Sequence, residues 1–166
     1  MKRIFLIGLF LVSFLPLLLG QEAVEDLLHQ GIEYHDAGRY SQAITTYEKA
    51  LRIDPEAVEV IYELSLSLLE NGNYYASIEY CDKMLDRNDK FAILAYNTKG
   101  SCLNYLGKGD EAIDVYLEGI QKEPEFYLTY YNLGLAYFAK GEYTEAGEAF
   151  VVCLDLNPEY AGAHLN

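Results

Sequence analysis

The feature that most constrains this chain is that it repeats itself. Gly31, Ser65, Gly100 and Gly134 are separated by 34, 35 and 34 residues. The same spacings relate Ala43, Ser77, Ala112 and Ala146, and again Pro55, Asp89, Pro124 and Pro158. An aromatic column runs Tyr47, Cys81, Tyr116 and Phe150, and a glycine column runs Gly38, Gly72, Gly107 and Gly141. Two residues after each of those glycines stand Tyr40, Tyr74, Gly109 and Tyr143. One residue is added between Ser77 and Gly100, and the register then resumes. A period of this size restricts the fold to stacked copies of one small unit, each touching only its neighbours.

Each unit reads as two helices. Leu27, Gly31 and Tyr34 fall at i, i+4 and i+7 and so share one face. Gly38 suits the left-handed residue that closes a helix, because it has no Cβ to clash there. A second helix then carries Ala43, Tyr47, Ala50 and Leu51 on one stripe. Asp54-Pro55 ends it, since proline has no amide donor and clashes with the preceding turn. Gly31 and Ala43 are read as small residues that let two helix backbones approach.

The fourth unit shows the pattern most fully: Tyr130-Tyr131-Asn132-Leu133-Gly134, then Tyr137, Gly141, Tyr143, Ala146, Phe150 and Asn157-Pro158. These columns resemble the tetratricopeptide repeat. The resemblance covers Val24 to Tyr160 as units 24–57, 58–92, 93–126 and 127–160, the second being the most divergent. It implies an all-α fold, a right-handed superhelical α-solenoid of four helix-turn-helix units. Gly109 and Gly119 within the third unit's second helix make that unit the softest, at up to about 1 kcal/mol each relative to alanine.

In such an array the first helix of each unit lines the concave side. With the packing stripe assigned, the neighbouring stripe faces the groove: Leu28, Ile32 and His35; then Tyr62, Leu66 and Leu69; then Asn97, Ser101 and Asn104 with Tyr105; then Tyr131, Leu135 and Phe138. A stripe facing plain solvent is polar, and three of these four are apolar or aromatic. The groove therefore reads as a seat for a hydrophobic or helical segment of a protein partner, with Tyr131 and Phe138 as anchors. Members of the family that grip chaperone C-terminal carboxylates use Lys, Arg and Asn on this stripe. It holds no Lys or Arg here, so that role is disfavoured.

The N-terminus is of another kind. Met1-Lys2-Arg3 precedes an apolar run from Ile4 to Leu19, broken only by Gly8, Ser13 and Pro16, and Gly20 stands before polar Gln21-Glu22. This is the layout of a signal peptide over residues 1–20, with Pro16 interrupting the apolar helix before the cut. As a helix the run spans about 24 Å at roughly 1.5 Å per residue, short of the ~30 Å of a bilayer core. An anchor formed by residues 4–19 is the alternative. The expected location is the periplasm or outer envelope of a bacterium, or a secretory lumen. A net charge of −14 excludes nucleic acid as a partner by repulsion from the phosphate backbone.

Nothing in the sequence points to catalysis, a cofactor, a metal or a small-molecule substrate. His29 and His35 do not share a helix face, and His164 lies far along the array. Gly107-Lys108-Gly109 is an inter-helix turn and lacks the spacing of a phosphate loop. Cys81 and Cys153 occupy columns that are normally buried. Cys102 lies on the helix next to that of Cys81, making a Cys81–Cys102 disulfide the one candidate pairing in an oxidising compartment. Residues 161–166 begin an incomplete fifth unit. That leaves Phe150, Cys153 and Leu154 largely uncovered, so a homodimer through this end face is the alternative to a groove-binding scaffold.

Overall fold

The computed structural model describes residues 2–87 and 91–160, with side chains from Leu19 onward. Among the described residues there are eight helices and no strand: α1 Lys2–Asp36, α2 Tyr40–Ile53, α3 Val58–Glu70, α4 Tyr74–Arg87, α5 Ala92–Tyr105, α6 Gly109–Lys122, α7 Tyr127–Lys140 and α8 Tyr143–Leu156. They form four antiparallel hairpins stacked in chain order into an α-solenoid. Each helix packs on the next, and the first helices also touch one another, α1 with α3, α3 with α5 and α5 with α7. The second helices make no comparable contact among themselves. The array therefore curves with α1, α3, α5 and α7 on its inner side.

The hairpin turns are built identically. Gly38, Gly72, Gly107 and Gly141 have φ between 70° and 82°, a region that costs a side-chain-bearing residue about 1 kcal/mol or more. In each turn the glycine N–H and the next N–H fold back onto the helix just ended. In the first, Gly38 N–H donates to His35 at 2.8 Å and Arg39 N–H to Tyr34 at 2.8 Å. This double closure satisfies carbonyls that a helix end otherwise leaves open.

The core runs along the middle of the stack. The aromatic of each second helix lies across the inner helix of its own unit at the point where that helix has a glycine. A Cβ built on Gly134 would stand 2.5 Å from the Phe150 ring, and one on Gly31 or Gly100 would collide with Tyr47 or Tyr116. What Gly31 makes room for is thus an aromatic ring, and not the backbone approach read from the sequence. The second unit obeys the same rule with sizes exchanged. Ser65 has the Cβ, Cys81 is the small partner, and Ser77 Oγ donates to Ser65 O at 2.7 Å to seal the pair.

Several expectations need correcting. The break at Pro16 is not there, for α1 is continuous from Lys2 to Asp36. An interior proline removes one hydrogen bond and crowds the carbonyl four residues before it, which a helix meets by kinking as well as by breaking. Gly109 opens α6 and is not in its interior. Gly119 is buried where a Cβ would press on Tyr96 at 3.0 Å, so it is a packing residue and not a soft spot. Phe150 and Cys153 are buried, not uncovered, because Tyr160 folds back and sets its ring 5.0 Å from both Tyr127 and Tyr131. The signal segment lies outside the described side chains, except for its last residues, and residues 161–166 lie outside the described residues.

Candidate functional site

The inner helices present a groove whose chemistry changes along the stack. At its N-terminal end a hollow of about 490 Å³ is lined by Val24, Leu28, Val58 and Phe91, with Glu25, His29, Asp54 and Glu59 around them. His29 lies 3.9 Å from Glu25. Leu28 and Ile32 are half-buried and pack onto the first core cluster with Tyr47 and Leu64. His35 makes a 2.8 Å hydrogen bond through Nδ1 with Ser67 Oγ and stands edge-on to Tyr40 at 5.2 Å.

The middle of the groove is a polar band. Tyr62 packs against Phe91 at 5.7 Å, and Leu66 and Leu69 join Leu94, Asn97, Ser101, Leu128 and Asn132 around a hollow of about 170 Å³. Asn97 is engaged there at both side-chain atoms. Its Nδ2 donates to Ile93 O and to Thr129 Oγ1, each at 2.9 Å, and its Oδ1 accepts from Asn132 Nδ2 at 2.8 Å. These bonds tie α5 to α7 across the groove floor.

The third hollow, about 280 Å³, is lined by Ser101, Asn104, Tyr105, Tyr116, Asn132, Leu135 and Ala139. Tyr116 belongs to the second helix of its unit, but its ring passes over Gly100 and its hydroxyl lies 3.2 Å from Ser101 Oγ. Burial pushes the Tyr116 phenol up to about 12, with Ser101 acting in the opposite direction, so the hydroxyl stays protonated. Tyr105 is 69% exposed and Phe138 48% exposed. Tyr105 stacks on Tyr74 at 5.3 Å, and Phe138 meets Tyr143 edge-on at 5.4 Å. Tyr131, in contrast, is packed between Phe150 at 5.8 Å and Tyr160.

The groove-stripe residues thus divide. Leu66, Leu69, Ser101, Asn104, Tyr105, Leu135 and Phe138 face hollows or solvent. Tyr131 and Asn97 are committed to internal contacts. Residues beyond that stripe also reach the groove, namely Leu94, Leu128, Asn132, Glu59 and Tyr116. The signal for Tyr116 is a tyrosine in the aromatic column opposite a glycine.

The cysteines among the described residues lack the surroundings of a nucleophile. Cys81, Cys102 and Cys153 are buried free thiols. Burial pushes Cys81 up to about 12 and raises Cys102 and Cys153 as well, the reverse of what a nucleophilic thiol needs. Cys81 and Cys102 adjoin one another beside Ser77, as separate thiols and not as the candidate disulfide. Among the described residues no group of three or more His, Cys, Asp or Glu is placed to hold a metal ion.

Family models agree with this architecture. A tetratricopeptide-repeat model matches residues 31–72 and 100–141, and a second one matches residues 127–160. The general transcriptional corepressor ssn6 of Schizosaccharomyces pombe is 28% identical over 123 residues, 72% of this chain. The chain spans only 11% of that relative's length. Among solved structures, MamA matches at 28% identity with a TM-score of 0.66, covering 81% of this chain and 78% of its own. Pseudomonas aeruginosa pilF matches at 26% identity with a TM-score of 0.74, covering 88% of this chain and 66% of its own.

Proposed function

We propose, for a chain that belongs to the tetratricopeptide repeat family, that it is a non-catalytic scaffold holding a segment of a protein partner in its concave groove. The observation that carries this reading is the exposure of Tyr105 and Phe138 on the inner side of a stack whose core is already closed without them. Tyr105 borders the hollow of about 280 Å³, and exposed aromatic side chains of this kind are what an extended or helical peptide uses as anchors. Residues 1–20 support an exported protein of the cell envelope or secretory pathway, whether cleaved or held by the apolar run.

The test is a pull-down with the wild-type chain beside a Tyr105→Glu, Phe138→Glu double variant. Both residues are exposed, so the fold is expected to survive, with circular dichroism as the check. Loss of the captured partner in the folded variant supports the groove; equal capture by both chains refutes it.

A second reading has its own observation. Val151, Val152 and Leu156 of α8 are exposed in columns where α4 carries Asp82, Lys83 and Arg87. A charged face that becomes apolar in one unit suits a self-associating module.

A further inference from the structure

The third hollow of the groove differs from the other two in what lines it. Ser101, Asn104, Tyr105, Tyr116 and Asn132 bring hydrogen-bonding groups to it, and Leu135 and Ala139 add apolar surface. No ionised side chain is among them. The lysines on the surrounding elements are turned to carboxylates elsewhere: Lys99 pairs with Asp82, Lys108 with Glu111, and Lys140 with Asp110 and Glu142. The N-terminal hollow, by contrast, has Glu25, His29, Asp54 and Glu59 around it, and the middle one is lined mainly by leucines and aromatic rings.

Tyr116 is the unusual member of this set. It is anchored in the second helix of its unit, and its side chain is 1% exposed. It reaches the hollow by crossing Gly100, where a Cβ would stand 2.4 Å from its ring. Cys81 and Phe150 fill the same column in the second and fourth units, so the core position does not require a hydroxyl. Tyr47 carries one in the first unit, but it borders none of the three hollows. The Tyr116 hydroxyl meets Ser101 Oγ at 3.2 Å, longer than the ~2.7–2.8 Å usual between two hydroxyls, and Asn104 is also within its reach. Two hydroxyls that face each other share one O–H, so a second O–H and oxygen lone pairs remain for another group. Asn132 gives one Nδ2 hydrogen to Asn97 Oδ1 and keeps its other N–H and its carbonyl oxygen. The hollow thus presents donors and acceptors side by side, without charge.

We infer that this hollow receives the carboxamide of an asparagine or glutamine side chain of the bound segment, held among the Tyr116 and Ser101 hydroxyls and the Asn104 and Asn132 amides. This rests on the groove reading above and adds the chemistry of the partner. A carboxamide brings N–H donors and a carbonyl acceptor in one plane, the mixed set that the hollow offers back. A carboxylate or an ammonium group would give up hydration with no opposite charge in the hollow to replace it. An aliphatic side chain of the same size would leave the Tyr116 hydroxyl and the amides facing hydrocarbon. The adjoining hollow of about 170 Å³ shares Ser101 and Asn132 with this one, and its leucines take an apolar neighbour in the segment.

The experiment selects a random 12-residue peptide library against the 166-residue chain and measures recovered peptides by fluorescence anisotropy. Each peptide is compared with versions in which its Asn or Gln is changed to the matching Asp or Glu, and to Leu. The comparison chains are Tyr116→Phe and Ser101→Ala, each alone, and separately the Tyr105→Glu, Phe138→Glu double variant. The expected result is enrichment in Asn or Gln, and binding about tenfold weaker for the acidic and Leu peptides on the wild-type chain. On the Tyr116→Phe chain most of the difference between the amide and Leu peptides should disappear. Phenylalanine keeps the ring of Tyr116, and circular dichroism checks that each variant is folded; the peptide exchanges on the wild-type chain need no variant. Peptides that lose binding in the aromatic variant but show no Asn or Gln enrichment, or tolerate Leu in its place, overturn the carboxamide site and leave the groove standing. So does an amide-to-Leu difference that is the same on the wild-type and Tyr116→Phe chains. Peptides indifferent to every variant, or none recovered, overturn both.

Discussion

Gly100 and Tyr116 show how narrowly a single position is held. A methyl group on Gly100 would enter the space of the Tyr116 ring, which is wedged on its other sides by Leu103, Ile113 and Leu133. Gly100→Ala is expected to destabilise the chain by about 2 kcal/mol or more, as overpacking does in a filled core. Tyr116→Leu alone is expected to cost ~2–3 kcal/mol through the cavity it leaves. Combined, the two should cost less than their sum, because each removes the other's conflict. Urea denaturation of the three variants measures this, and strict additivity would refute the coupling. The second unit already contains a balanced version of that exchange in Ser65 and Cys81.

Between elements, the stack is held by contacts of each helix with the next, so damage should stay local. Tyr160 is the residue on which this is most readily seen, since its ring covers Tyr127 and Tyr131 at the outer side of α7. Tyr160→Ala is expected to lower amide-exchange protection in α7 and α8 by at least tenfold and to leave α3 and α4 unchanged. Equal loss throughout would show a single cooperative block instead. The helices and turns themselves were legible in the chain because a 34-residue period and four turn glycines leave little choice of register. The groove was legible only in part. Periodicity assigns a residue to a face, but Tyr131 is large enough to leave its face and join Phe150. Asn97 faces the groove as its column implies, yet Ile93 and Thr129 take both its donors and Asn132 one acceptor site, and no spacing rule reveals that. Tyr116 escaped notice because it reaches the groove from the opposite helix.

For the molecule as a whole, the question is what its two apolar surfaces do at once. The inner groove and the Val151, Val152 and Leu156 face of α8 lie on different sides of the stack, so occupying one leaves the other open. If the α8 face pairs two copies, light scattering is expected to give twice the monomer mass, and Val151→Asp, Val152→Lys, which places there the charges of Asp82 and Lys83 in α4, is expected to return it to monomer. A monomer at micromolar concentration before mutation would refute the pairing. The glycine gaps in the inner helices carry a consequence of another sort. They work as portholes, through which a residue anchored on the far side of the hairpin sets what a visitor meets inside. Tyr116 shows a hydroxyl at its porthole, whereas Phe150, in the corresponding place, lies under the Tyr131 ring. With a partner segment in the groove as proposed above, a hydroxyl gained or lost at position 116, a residue sealed from solvent, rewrites the floor beneath it while every residue on the visible surface stays the same.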